Sequence, residues 1–158
     1  MSAAGDEPGP AVQPAPRPRV AFPVDVLVAI AVGGVIGAEA RFGLGLWWPH
    51  ETGGWPWATL VINTTGCVLI GALMVVLLEV VVTPHRLVRP LLGVGVLGGY
   101  TTFSTYSVEV LQLLDAGRAG AAAGYLVATP VAAVLACALG MAVTRWLCGR
   151  RRAGEVGR

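Results

Sequence analysis

The residues best suited to chemistry lie together in Gly98-Gly99-Tyr100-Thr101-Thr102-Phe103-Ser104-Thr105-Tyr106-Ser107. This stretch carries five Ser or Thr hydroxyls inside a charge-free run, residues 90–108. Gly93, Gly95, Gly98 and Gly99 make a continuous helix costly here, at about 1 kcal/mol each relative to Ala. A broken helix leaves carbonyls without partners in the same helix, and main-chain oxygens suit a hard cation. Beyond the break, Phe103 and Tyr106 stand three residues apart and share a helical face, while Thr101, Thr105 and Glu109 repeat every fourth residue as a polar stripe. Hydroxyls donate hydrogen bonds, and aromatic edges are electropositive through the ring quadrupole. Together they can face a small anion without a fixed positive charge. Core packing is the plainer use of an aromatic pair, and the interleaved hydroxyls weigh against it. Irregular backbone at membrane depth survives only where protein buries it or where it lines a wet cavity. The expectation is a broken transmembrane helix that handles an ion.

Three other segments carry groups that apolar spans ordinarily lack. Asn63, followed by Thr64, Thr65 and Gly66, puts an amide into an apolar run. It needs a partner there, either across a helix contact or as a two-donor group facing an anion. Gly33 and Gly37 form a small-xxx-small face with Gly34 beside them, for which helix packing is the plainer use. Arg41 follows one turn later, and either snorkels to the interface or seeks a carboxylate or carbonyls within the bundle. Glu39, two residues away, points to a different face and does not pair with it. Tyr125 and Thr129, one turn apart and followed by Pro130, extend a hydroxyl track unless Thr129 bonds back to its own helix.

These residues need a membrane to position them. Hydrophobic residues make up 55% of the 158-residue chain and charged residues only 13%, which argues for a membrane protein over a soluble one. Residues 52–78 and 119–144 are free of charge and long enough to cross a bilayer, which takes roughly 20 apolar residues. Residues 90–108 are just long enough, and 24–48 cross if Glu39 and Arg41 are tolerated inside protein or near an interface. The expected fold is an all-α membrane protein of four transmembrane helices, the third broken mid-membrane. Residues 1–23, rich in Pro, Ala and Gly, read as a disordered tail without the layout of a cleaved signal peptide. Residues 24–147 form the membrane domain and 148–158 a basic, mobile tail. Glu79 is expected in solvent near the inner end of the second span.

Charge placement gives orientation. All 11 basic residues are Arg. With four spans, Arg17 and Arg19, Arg86 and Arg89, and Arg145, Arg150, Arg151, Arg152 and Arg158 fall on one side, whereas the other has only Arg118 and a helix-end Arg41. Arg-rich short loops stay cytoplasmic, so both termini are expected inside the cell membrane. Trp47, Trp48, Trp55 and Trp57 would then form an outer interfacial belt, with Trp146 at the inner face. This topology accounts for the basic tail without a nucleic-acid partner. Cys67, Cys137 and Cys148 are odd in number, lack a CxxC pairing, and read as small buried side chains. There is no nucleophile–base set, His50 and His85 lack ligand partners, and without lysine there is no phosphate-binding loop, so an enzyme is not expected.

The three motifs Gly33-Gly34-Val35-Ile36-Gly37-Ala38-Glu39-Ala40-Arg41-Phe42, Asn63-Thr64-Thr65-Gly66 and Gly98 to Glu109 resemble those of the CrcB/Fluc fluoride channels, in the same order and each within its span. The resemblance covers residues 24–147. It implies four-helix subunits that pair antiparallel, with two pores exporting fluoride passively and protecting the cytoplasm. It implies a central, structural Na+ held by the carbonyls of Gly98 and Thr101 from both subunits. It places Asn63, Phe103 and Tyr106 at the fluoride pore and, more loosely, Thr129; the hydroxyls of Thr105 and Ser107, in the same polar run, are expected to line it too. Arg41 and Glu109 are left a structural or gating role.

Two departures stand out. The second aromatic, usually Phe, is Tyr106, whose hydroxyl can donate to fluoride or narrow the pore. The Arg bias opposes dual insertion, which points to a heterodimer with a homologous subunit of opposite orientation instead of a homodimer. A second reading is a small proton-coupled multidrug exporter, also of four helices, with Glu39 as its titratable carboxylate; the hydroxyl-rich break favours the channel. A third is a non-transporting assembly factor.

Overall fold

A computed structural model describes residues 23–49, 51 and 53–156. The described chain is helical, with no strand among the described residues. Helix α1 spans Val24–Trp47 and α2 spans Trp57–Val75, continuing in wider π turns over Val76–Val80. A loop leads to a second π-wound segment, Arg89–Leu97, which runs directly into the short α3, Gly98–Tyr100. Three non-helical residues follow, then α4, Ser104–Asp115, and the long α5, Ala119–Val156.

Val24–Trp47, Trp57–Val80 and Ala119–Gly149 are long and apolar enough to cross a membrane, with mean hydropathy of 1.7, 2.3 and 2.3. Large apolar side chains along them, including Ile36, Leu69 and Val134, lie exposed on the subunit. A water-soluble chain would have to bury such surface, whereas lipid tails or another apolar helix can cover it. At its C-terminal end α5 does not stop near residue 147, where a tail was expected to begin; its backbone stays helical through Val156. Ala and Arg are good helix formers, and elongation of an established helix is easy, so the basic segment can continue the packed span. The expected N-terminal tail, apart from Pro23, lies outside the described residues.

Glycines set how closely these helices approach. A Cβ on Gly33 or Gly37 would collide with the carbonyls of Leu91 and Val96, so α1 lies backbone to backbone against the glycine-rich segment 89–100. The Gly33–Gly37 face is thus a packing face. Gly71 and Gly140 do the same for α2 and α5, meeting the carbonyls of Cys137 and Val68. These two seams place the interrupted chain between α1 on one side and α2 with α5 on the other.

Both ends of α4 are closed by specific bonds. Thr102 Oγ1 accepts the Thr105 N–H at 3.1 Å, capping the helix start. At the other end, Gly117 takes φ +72°, while the N–H groups of Gly117 and Arg118 donate to the carbonyls of Leu114 and Leu113, both at 2.9 Å. This is a Schellman closure, which favours glycine at the left-handed position. The turn sends the chain back as α5, where Tyr106, Leu113, Ala122 and Tyr125 form a buried cluster against Trp55. At the opposite end, Arg145 forks onto Glu79, with Nη2 to Oε1 at 2.7 Å, so that carboxylate is exposed but paired.

Candidate functional site

The interruption between α3 and α4 is organised around two side chains that reach its backbone. Thr101 is extended, with φ −78° and ψ 157°. Asn63 of α2 grips the next residue twice: Nδ2 donates to the Thr102 carbonyl at 2.9 Å, and Oδ1 accepts the Thr102 N–H at 2.8 Å. Its amide therefore bridges helices, with the second Nδ2 hydrogen left for another acceptor. Arg41 reaches from α1 to donate Nε to the Gly99 carbonyl at 3.1 Å. It bonds a carbonyl within the bundle, one of the two roles expected of it.

These diversions define which oxygens are released. In a continuous helix the Thr102 N–H would close onto Gly98, and the Thr105 N–H onto Thr101. Here the first goes to Asn63 and the second to the Thr102 hydroxyl. The neighbouring Leu97 carbonyl is taken, by the Thr101 N–H at 3.0 Å and its hydroxyl at 2.9 Å. Gly98 and Thr101 thus lose their helical donors, and both line a small hollow of about 150 Å³ with Gly66, Cys67 and Leu97. Carbonyl oxygens of this kind match the donor chemistry of a hard monovalent or divalent cation.

Two larger cavities flank the interruption and share Thr102. The first, about 320 Å³, is lined by Asn63, Thr101, Phe103, Tyr106 and Thr129, with Cys67, Pro130 and Ala133 as apolar or weakly polar wall. No formally charged side chain lines it. The Phe103 and Tyr106 rings meet at a centroid distance of 5.5 Å, sharing a face as their spacing predicts. Their surroundings differ sharply: Phe103 is 79% exposed on the subunit and Tyr106 only 6%. The Thr129 hydroxyl is buried beside Tyr125 and makes no hydrogen bond of standard geometry, not even back to its own helix. The Tyr106 hydroxyl donates to the Leu126 carbonyl at 2.7 Å.

The second cavity, about 500 Å³, collects Glu39, Arg41, Thr59, Thr105 and Glu109. Buried Glu109 accepts hydrogen bonds from Thr59 Oγ1 at 2.6 Å and from the Tyr125 hydroxyl at 2.7 Å. Thr105 therefore stands beside Glu109, while Thr101 opens onto the neutral cavity. The expected Thr101–Thr105–Glu109 stripe is split, because the extended Thr101 breaks the four-residue register. Ser107 joins neither cavity; its hydroxyl donates to the Phe103 carbonyl at 2.9 Å, closing the first turn of its own helix. Thr59 and Tyr125 were not foreseen as partners of Glu109, although Thr59 lies one helical turn before Asn63 and Tyr125 one turn before Thr129.

The geometry is that of a helical membrane protein with a neutral, polar-tipped cavity at an interrupted segment, the kind of architecture that passes or binds small solutes. The chain belongs to the CrcB family: the family model "CrcB-like protein, Camphor Resistance (CrcB)" matches residues 28–141. Among its relatives, Fluoride-specific ion channel FluC 2 of Nocardia farcinica is 50% identical over 127 residues, covering 80% of this chain and 90% of that protein. Fluoride-specific ion channel FluC 1 of Streptomyces coelicolor is 51% identical over 111 residues, covering 70% and 71%. Fluoride-specific ion channel FluC 2 of Streptomyces avermitilis is 49% identical over 125 residues, covering 78% of each.

Proposed function

We propose that this chain is a subunit of a fluoride-selective channel that lets cytoplasmic fluoride leave the cell passively and so limits its toxicity. The observation that carries this reading is the neutral cavity, where an amide donor with a spare hydrogen, a buried threonine hydroxyl and two aromatic rings converge at the interrupted segment. A small anion entering it exchanges water for the free Nδ2 hydrogen of Asn63, the Thr129 hydroxyl and the positive ring edges of Phe103 and Tyr106. No covalent step or energy source is needed for downhill flow, which sets the chain apart from enzymes. The names of the relatives, all fluoride-specific ion channels, agree with this selectivity.

The segment from residue 89 to 115 serves as the third of four membrane crossings, interrupted near mid-depth, and the Arg bias puts both termini in the cytoplasm. Two subunits pair antiparallel, which covers the exposed Phe103 ring. The released carbonyls of Gly98 and Thr101 then hold a Na+ together with those of the partner. When bound, the ion supplies a fixed positive charge and a structural cross-link, while the chain's own residues carry the anion. Because the Arg bias disfavours dual insertion, the partner is a homologous chain of opposite orientation.

The exporter reading needs Glu39 as a proton carrier in a deep site, but Glu39 lies exposed on the subunit. Fluoride efflux from liposomes carrying Glu39→Gln discriminates the two. A channel retains most of its fluoride flux, whereas loss of all transport would favour proton coupling.

A further inference from the structure

Tyr106 and Pro130 lie on different helices, yet one carbonyl joins them. Proline has no N–H, so Pro130 leaves unclosed the helical bond that would fall on the carbonyl four residues earlier, at Leu126. That is the carbonyl to which the Tyr106 hydroxyl donates, at 2.7 Å. Tyr106 is 6% exposed, its ring wedged between Phe103 at 5.5 Å and Tyr125 at 5.3 Å between centroids. Pro130 itself lines the neutral cavity beside Tyr106 and Thr129.

We infer that Tyr106 is a positioning residue, donating across helices the hydrogen bond that Pro130 removes from α5, and thereby fixing its own ring at the wall of the fluoride cavity. The hydroxyl is committed to Leu126 and presents no donor to the anion; only the ring does so. The bend-prone stretch of α5 that carries Thr129 is held to α4 by the same bond. Phe at this position would supply the ring but leave the part-buried Leu126 carbonyl without this donor, a loss that the protein feels only because Pro130 is present. The functional part of this inference rests on the channel reading; the bond itself does not.

A double-mutant cycle tests it, using the full chain with its homologous partner in lipid. Tyr106→Phe is expected to lower the thermal midpoint by several degrees, to slow fluoride efflux several-fold and to shift the fluoride concentration giving half-maximal flux. Pro130→Ala restores an N–H for Leu126, so in its presence Tyr106→Phe should cost less than half as much in both measurements. The shift in half-maximal fluoride should also return towards the parent value, which a loss of folded protein alone would not produce. Additive effects, or a Tyr106→Phe protein that melts and conducts like the parent, overturn the inference. A parent protein that conducts no fluoride while the melting cycle remains coupled contradicts the channel reading and supports the bond. A conducting parent with an additive cycle does the reverse.

Discussion

The two cavities beside Thr102 differ in the charge of their linings and in what their polar residues are bonded to. On the charged side, Glu109 is clasped by the hydroxyls of Thr59 and Tyr125, and Arg41 is engaged with the Gly99 carbonyl. On the neutral side, Asn63 keeps a spare hydrogen and the Phe103 ring stands open. A buried carboxylate would repel an anion and must itself be satisfied, so the proposed pathway runs through the neutral side and leaves the charged side as scaffold. The neutral side retains the capacity to replace water around a small anion. Charge and unspent hydrogen-bonding capacity together distinguish the two cavities.

The strongest way to break this contrast is at Phe103. Phe103→Ile keeps an apolar side chain of similar bulk, so assembly should persist, while losing a preorganised aromatic edge for the anion costs about 100-fold in fluoride efflux. Efflux unchanged by this substitution would mean that the anion bypasses the neutral cavity. Asn63→Ala comes next, because it leaves both the N–H and the carbonyl of Thr102 without partners. Each lost bond is expected to cost about 1–3 kcal/mol, visible as a large drop in thermal stability alongside reduced flux.

Glu109→Gln probes the other side. Its amide group offers hydrogens to hydroxyls that were donors, costing about 1–3 kcal/mol of stability, and flux should fall only in proportion to the folded protein lost. A larger fall in flux per folded channel would place the charged cavity on the pathway. The smallest effect is expected from Arg145→Gln, which removes the exposed Arg145–Glu79 ion pair away from both cavities. Melting and efflux should match the parent, since exposed ion pairs contribute little.

Much of this arrangement was legible in the residues. Four glycines before a run of hydroxyls announced the interruption, and Gly33 and Gly37 announced a close helix contact. The 3.6-residue period placed Phe103 and Tyr106 together, but the same period misplaced Thr101, since one extended residue resets every position after it. Ser107 could not be assigned from type, because a hydroxyl spends itself as readily on its own helix as on a ligand. The grip of Asn63 on Thr102 was also hidden, because its partner is main chain, which every residue possesses. Pro130 did mark the vacant Leu126 carbonyl, but the helix that would fill it is decided by tertiary packing.

The central claim is tested most directly by fluoride efflux from liposomes containing this chain, alone and co-reconstituted with a homologous chain of opposite Arg bias. Rapid, passive and fluoride-selective release that collapses with Phe103→Ile is the predicted result. Correctly assembled protein whose vesicles hold their fluoride would contradict it.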